Sequence, residues 1–261
     1  VSDDEDLYIQ SSHYFMFGQH TKPYKFIVDG KSNKNKYAMV FLNCTLELVY
    51  RNQRSKIKII YLTMRNVKFI NSSIIIKGSA FVILDSVIFL GSFVSSILKS
   101  SGGNIDLQIF MINSKLICET ELEKEQMTFN LTDVSILKLV LFNCSIKNVY
   151  FYVSASHFVL KLGHVECQTE VNTHVITIDF PAFITKKKNH QTVVLRNIQL
   201  SNVHVSALRE KIFSAIKTAG SFILIKSAQF SIHSINCTFV NMPVALSVQN
   251  SKNHLVFEGI N

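Results

Sequence analysis

The sequence predicts an all-β chain folded as a parallel β-helix, a solenoid of about eight or nine coils. Three observations point there. Short runs that alternate apolar and polar residues fill the 261 residues, with few helical periods among them. A strand pattern recurs at a drifting interval of roughly 20 to 30 residues, the range that one turn of a solenoid needs. The tripeptide Asn-Cys-Ser/Thr occurs three times, at Asn43, Asn143 and Asn236, and so takes up three of only five cysteines.

Composition agrees with these signals. Apolar residues make up 48% and charged residues 17%, enough to bury a core and too apolar for disorder. Ile, Val, Leu and Phe dominate and suit pleated, half-buried surfaces. Three prolines and nine glycines are few for a sandwich built on tight hairpins. The net charge of +9 raises the question of nucleic acid, yet the lysines are dispersed. Their one compact run, Thr185 to Gln191, lacks the arginine and aromatic companions of a nucleic-acid site. A solvated loop and no nucleic-acid partner are expected there.

In chain order, residues 1–39 read as a lead-in or cap and residues 40–261 as the β-helix. The opening "VSDDEDLYIQ" is acidic and polar, compatible with the end left after a signal peptide is removed. The repeat then runs through "FLNCTLEL", "TMRNVKFINS", "ILDSVIFLGS", "FMINSKLICE", "LFNCSIKNV", "GHVECQTEV", "LRNIQLSNV" and "SINCTFVNM". Its anchors are Asn43, Asn66, Asp85, Asn113, Asn143, Glu166, Asn197 and Asn236, spaced by 23, 19, 28, 30, 23, 31 and 39 residues. The window Gly78 to Leu98 is apolar and long enough to cross a bilayer, but it carries Asp85 and breaks into two alternating strands. No membrane span is expected. Cys118 to Met127 reads as a polar excursion with a helical turn, and Ala207 to Gly220 is the best helix candidate.

Strict alternation assigns faces. Leu42, Cys44, Leu46 and Leu48 fall on the inward side, and Phe41, Asn43, Thr45 and Glu47 on the other. The same rule sends Phe142, Cys144 and Ile146 inward, and likewise Ile235, Cys237 and Phe239. Cys44, Cys144 and Cys237 are thereby expected as structural core cysteines, at positions that suit a small, apolar-tolerant side chain. A disulfide ladder and a reactive thiol are the competing readings.

The segment "HSINCTFVNM", with its Ile-x-Cys-x-Phe stripe, resembles the right-handed parallel β-helix repeats of the pectin-lyase-like superfamily. "SGGNIDLQIFMIN" is similar to the repeats of polymorphic outer-membrane proteins. The resemblance spans Val40 to Ile260 and implies a right-handed coil. It also implies one of two occupations, polysaccharide cleavage or structural and adhesive work at a surface.

Candidate chemistry is sparse. Enzymes of that superfamily gather carboxylates on one strand face for metal binding or acid–base work. Here Asp85, Asp106, Asp133, Glu166 and Asp179 are isolated, and the dense acidic run Asp3 to Asp6 sits at an end, where preorganisation is poor. His13 and His20, and His157 and His164, are pairs seven apart with no helix to unite them. No zinc spacing, phosphate loop, dinucleotide fingerprint or Gly-x-Ser-x-Gly elbow occurs, so no catalytic residue, metal site or cofactor is assigned. Five sequons, at Asn43, Asn71, Asn130, Asn143 and Asn236, mark glycan acceptors if the chain is secreted. The competing role for such residues is a ladder of turn asparagines bonded between coils.

The expected function is a non-catalytic structural or adhesive module of a secreted or cell-surface glycoprotein. Its expected partners are neighbouring copies or modules of one assembly, with glycans as a further partner. The alternatives are a polysaccharide-active or carbohydrate-binding β-helix and a basic intracellular scaffold subunit.

Overall fold

The computed structural model describes residues 7–10, 13–18, 25–30, 39–50, 59–91, 98–100, 105–118, 127–169, 174–179, 195–207, 221–226, 229–240, 242, 244–249 and 257–258. Every strand pairing among them is parallel. Because each strand pairs with the one a turn later, the strands fall into three columns, the faces of an all-β solenoid.

The first face holds β1 (Leu7–Gln10), β4 (Met39–Leu42), β7 (Val67–Ile70), β10 (Ile88–Gly91), β13 (Lys115–Cys118), β15 (Ser145–Lys147) and β21 (Thr238–Val240). The second holds β2 (His13–Gly18), β5 (Thr45–Tyr50), β8 (Ser73–Lys77), β11 (Leu98–Ser100), β17 (Ile176–Asp179), β19 (Ser221–Lys226) and β22 (Val244–Gln249). The third holds β3 (Lys25–Asp29), β6 (Ile60–Arg65), β9 (Ala80–Asp85), β12 (Ile105–Ile112), β20 (Gln229–Ile235) and β23 (Phe257–Glu258). Three long strands bend from face to face. β14 (Met127–Phe142) serves the second and third, β16 (Val149–Thr169) all three, and β18 (Leu195–Ala207) the third and first.

The stretch before residue 40 contributes β1, β2 and β3, which pair in register with β4, β5 and β6 and stand at the end of each column. The apolar window from Gly78 is strand β9, a turn at Ser86, and strand β10. Among the described residues no helix is long and apolar enough to cross a membrane. The polar excursion at 119–126, the lysine run at 185–191 and the helix candidate beyond Ala207 lie outside the described residues.

The core is a set of stacks running along the solenoid. On the third face Leu62, Val82, Ile109, Leu139, Leu160, Ile198 and Ile232 pair in one register and are all buried. Each such burial is worth about 1.5 to 3 kcal/mol, which no single turn could collect without neighbours on both sides. On the first face Phe41, Phe69 and Phe89 stack at 4.9 and 4.8 Å. Phe89 meets Phe129 edge-on at 6.4 Å, and Phe129 stacks on Phe151 at 4.7 Å.

Two of the three corners are turned by single left-handed residues. At the first corner, between the first and second faces, these are Asn43, Asn71 and Asn148. At the third corner, between the third and first faces, they are Asn66, Ser86, Asn113, Asn143, His164, Asn202 and Asn236. Asn tolerates this conformation better than other residues with a Cβ because its short side chain bonds locally. The main-chain amides of Asn43, Asn66, Asn71, Ser86, Asn113, Asn143 and Asn148 then donate to the next turn, as Asn66 to Asp85 at 3.2 Å and Asn113 to Phe142 at 3.0 Å. These corners correct the repeat anchors. Ser86 rather than Asp85, His164 rather than Glu166 and Asn202 rather than Asn197 hold the third corner, at intervals of 20, 27, 30, 21, 38 and 34 residues from Asn66 onward, and Asn43 belongs to the other corner.

The corner residue also breaks the alternation. The chain turns there, so the residue before it and the corner residue itself both face out, and the phase restarts. Phe41 is therefore buried where strict alternation placed it outward, and Leu42 is only half-buried. Phe142 and Ile235, expected inward, are 49% and 45% exposed. Glu47 departs differently: it points outward in register yet is buried, and its carboxylate takes the Lys77 ammonium as partner.

Candidate functional site

The corner geometry explains the recurring tripeptide. The residue after the left-handed position points into the corner; it is valine at five corners, and at the other five it is Ser or Cys, whose hydroxyl or thiol bonds the carbonyl two residues back. Ser72 Oγ donates to Ile70 or Phe41, at 2.9 and 3.0 Å, and accepts from the Cys44 amide at 2.9 Å. Ser114 Oγ lies 2.8 Å from the Ile112 carbonyl and accepts from the Val87 amide at 3.1 Å. The thiols of Cys44, Cys144 and Cys237 take the same place, 3.3, 3.4 and 3.4 Å from the carbonyls of Leu42, Phe142 and Ile235. Asn supplies the turn, and Cys or Ser plugs it.

Cys44 and Cys144 are buried and Cys237 is half-buried, with no disulfide among the five cysteines. Burial pushes the Cys144 thiol above its ordinary range and takes Cys167 up to about 12. A thiolate is thus disfavoured at both, which removes the usual route to a nucleophile or metal ligand there.

Of the sequon asparagines, Asn43, Asn143 and Asn236 are exposed corner residues and Asn71 is a half-buried one. Asn130 lies in β14, half-buried, with its Oδ1 closed off from solvent and without a hydrogen bond. Outside the main chain the third corner is also a side-chain ladder. Asn66 donates to Asp29 at 3.1 Å, Asn113 to Asp85 at 3.3 Å and Asn143 to Asn113 Oδ1 at 2.7 Å, while Asn202 meets His164 at 3.3 Å. Beside it runs a polar groove of about 560 Å³ lined by residues that include Asn113, Lys115, Asn143, Ser145, His164 and Glu166.

The candidate carboxylates do not meet in that groove. Asp85 ends β9 and Asp106 is the second residue of β12, whose far end, Ile112, pairs with Asp85. At the rise of an extended strand this sets the two about 20 Å apart. Asp133 turns left-handed in the bend of β14, within electrostatic reach of Tyr152. There Asp179 accepts from Tyr152 at 3.2 Å and from Lys226 at 2.9 Å. Burial, then the Asp179 charge, raises the Tyr152 phenol, and the bond to Asp179 raises Lys226. This cluster neutralises itself. Among the described residues no group of three or more His, Cys, Asp and Glu side chains is placed to hold a metal ion.

Sequence reading gave no role to a serine–histidine pair. The Ser221 amide donates to His174 Nδ1 at 3.0 Å, and Ser221 Oγ lies 2.8 Å from the same nitrogen and 3.1 Å from the Ile223 carbonyl. An accepting Nδ1 requires the neutral imidazole, and burial followed by the Lys226 charge lowers the His174 pKa. Ser221 is fully buried, so no substrate reaches its hydroxyl. The pair ties the segment just before β17 to β19, and a separation of 47 positions in the sequence hid it.

The third face has two unlike outer surfaces. From β6 to the third-face part of β14 the outward residues include Tyr61, Phe81, Ile83, Phe110, Ile112 and Val140, all half-buried. Tyr61 packs on Phe81 at 5.7 Å and Phe81 on Phe110 at 5.2 Å, with the Lys138 ammonium 5.0 Å above the Phe110 ring. From β16 onward the same positions carry Lys161, Gly163, Asn197, Gln199, Ser201 and His233. Comparison with family models, with curated proteins and with solved structures finds no match to the chain.

Proposed function

We propose that the chain is a right-handed parallel β-helix of the pectin-lyase-like kind and a non-catalytic structural or adhesive module of a secreted or cell-surface glycoprotein. Three columns of nine strand segments each support nine coils, about 40 Å of rod at the usual strand spacing. Right-handedness follows the strong preference of parallel crossover connections. The observation that carries the functional reading is the use of polar side chains. Asn66, Asn113, Asn143 and Asp85, the residues that could arm a groove, are bonded turn to turn along the third corner. They stiffen the rod rather than converge on a reacting atom. Exposed Asn43 and Asn236 offer glycan attachment without disturbing the core, whereas a glycan on exposed Asn143 would share the Nδ2 that donates to Asn113.

The test is the intact mass of the chain expressed through a eukaryotic secretory pathway, before and after enzymatic removal of N-glycans. Mass loss mapped to Asn43, Asn143 or Asn236 is expected. Secretion with none of the five sequons occupied would overturn the glycoprotein reading in favour of an intracellular scaffold. A carbohydrate-binding alternative draws on the outward row Tyr61, Phe81 and Phe110, whose rings give sugars a stacking surface. Retention on immobilised polysaccharides that is lost in Phe81→Ala would favour it.

A further inference from the structure

At the boundary between the two outer surfaces of the third face lies a groove of about 360 Å³. Four residues in one register shape it: Phe142, Gly163, Ser201 and Ile235, on β14, β16, β18 and β20. The pattern is large, small, small, large. Phe142 and Ile235 stand at the two ends, three strand steps or about 14 Å apart, and the backbone of Gly163 and Ser201 forms the floor between them. The Phe142 ring leans over Gly163, so a Cβ at residue 163 would come within 2.9 Å of it and would have to displace that exposed wall. The end walls are among the most exposed large apolar side chains described, 49% for Phe142 and 45% for Ile235.

Along one side, two residues earlier in each strand, run Val140, Lys161, Gln199 and His233. Lys161 is exposed and has no ion pair among the described residues. The four third-face stretches, 134–142, 155–163, 195–201 and 229–235, contain no aspartate or glutamate. The site is therefore apolar at its ends and floor and cationic on one flank, with no carboxylate of its own to neutralise the lysine. Its volume falls in the range of small-molecule sites.

We propose that this groove binds a small amphiphilic carboxylate, with the apolar body lying between Phe142 and Ile235 and the carboxylate against Lys161. An exposed ammonium beside an apolar trough selects by charge: an anion gains a charge-assisted hydrogen bond that a neutral or cationic analogue of equal length lacks. The inference is independent of the module's structural role, since both the rod and its ladder persist whether or not the groove is filled.

The experiment titrates octanoate, octanol and octylamine against the full chain, read by two-dimensional NMR of the Lys161, Gly163, Gln199 and Ser201 amides and by calorimetry. Octanoate is expected to bind at least tenfold more tightly than either analogue, with shifts confined to those strands. Lys161→Gln is expected to remove that preference and leave the amide spectrum elsewhere unchanged; because Lys161 is exposed, this variant keeps the fold. Ser201→Leu fills the trough without meeting the Phe142 wall and is expected to abolish binding of all three. Equal binding of octanoate and octylamine, a preference that survives Lys161→Gln, or no shift up to octanoate solubility would each overturn the proposal.

Discussion

The two halves of the third face share one interior and differ outside. Leu62 and Val82 continue without interruption into Leu160 and Ile198, in the same register and with the same burial. Above that common core, one half carries Tyr61, Phe81 and Phe110 and the other Lys161, Gln199 and His233. Parallel pairing sets Tyr61 and Phe81 in one register about 4.8 Å apart, and Phe110 meets Phe81 diagonally, so the three rings make tilted contacts along the face even beside solvent. The lesson is that the interior fixes the architecture and leaves outer positions free to diverge. Recognition is to be sought where the outer surface changes character.

The comparison is most exposed to failure in the core. Leu62→Ala and Leu160→Ala, one under each half, are each expected to cost about 2 to 5 kcal/mol and to agree within about 1 kcal/mol in denaturant unfolding. A clear disparity would mean that the halves do not share one packed interior. Next come the corners. Asn143→Val forces a β-branched residue into the left-handed region and deletes a ladder bond, a loss of about 1 to 3 kcal/mol, whereas Asn143→Gly is expected to be nearly neutral by thermal melting. A similar cost for both would show that the side-chain bond to Asn113, not the backbone conformation, holds the corner.

Outer substitutions should separate the halves directly. Phe81→Ala is expected to cost about 1 kcal/mol through the loss of two ring contacts, and Gln199→Ala less than about 0.5 kcal/mol. Acid should also act unevenly, because His174, whose surroundings hold its pKa down, follows β15. His174 has a lowered folded pKa, so between that value and the ordinary 6.5 the unfolded chain binds more protons. Its contribution is complete above pH 6.5 and lost as pH falls through this window. A stability–pH profile should flatten there in His174→Gln, and an unchanged slope would remove His174 from the account. Smallest in energy is thiol labelling of the native chain: Cys237 should react first with a disulfide reagent and Cys167 last, as their burial orders them.

Much of this architecture is written in local sequence. Alternation within "AFVILD" and "IDLQIFMI" locates strands and their buried sides because no corner interrupts them. The Asn-Cys-Ser/Thr signature marks corners because Asn adopts the left-handed conformation and a small bonding side chain fits behind it. Ser86, His164 and Asn202 were not legible as corners: Ser and His are poor markers of that conformation, and Asn202 competes with Asn197 five residues away. The misplaced Phe142 and Ile235 share one cause, the restart of phase at a corner, which strict alternation cannot register. The groove they bound was hidden for the same reason, since its two walls had been assigned to the core. Glu47 escaped because its burial depends on a partner, Lys77, contributed by the next strand of the second face.

The corner ladder has a mechanical consequence. Backbone hydrogen bonds here run along the rod, and each turn is joined to the next by strands lying across it. Tension applied to the two ends of the stack therefore loads the outermost turn alone and strips it bond by bond, rather than shearing many bonds together. Such a rod resists bending and compression well but should yield to pulling as a series of small, nearly equal steps, one per turn, and rewind when released.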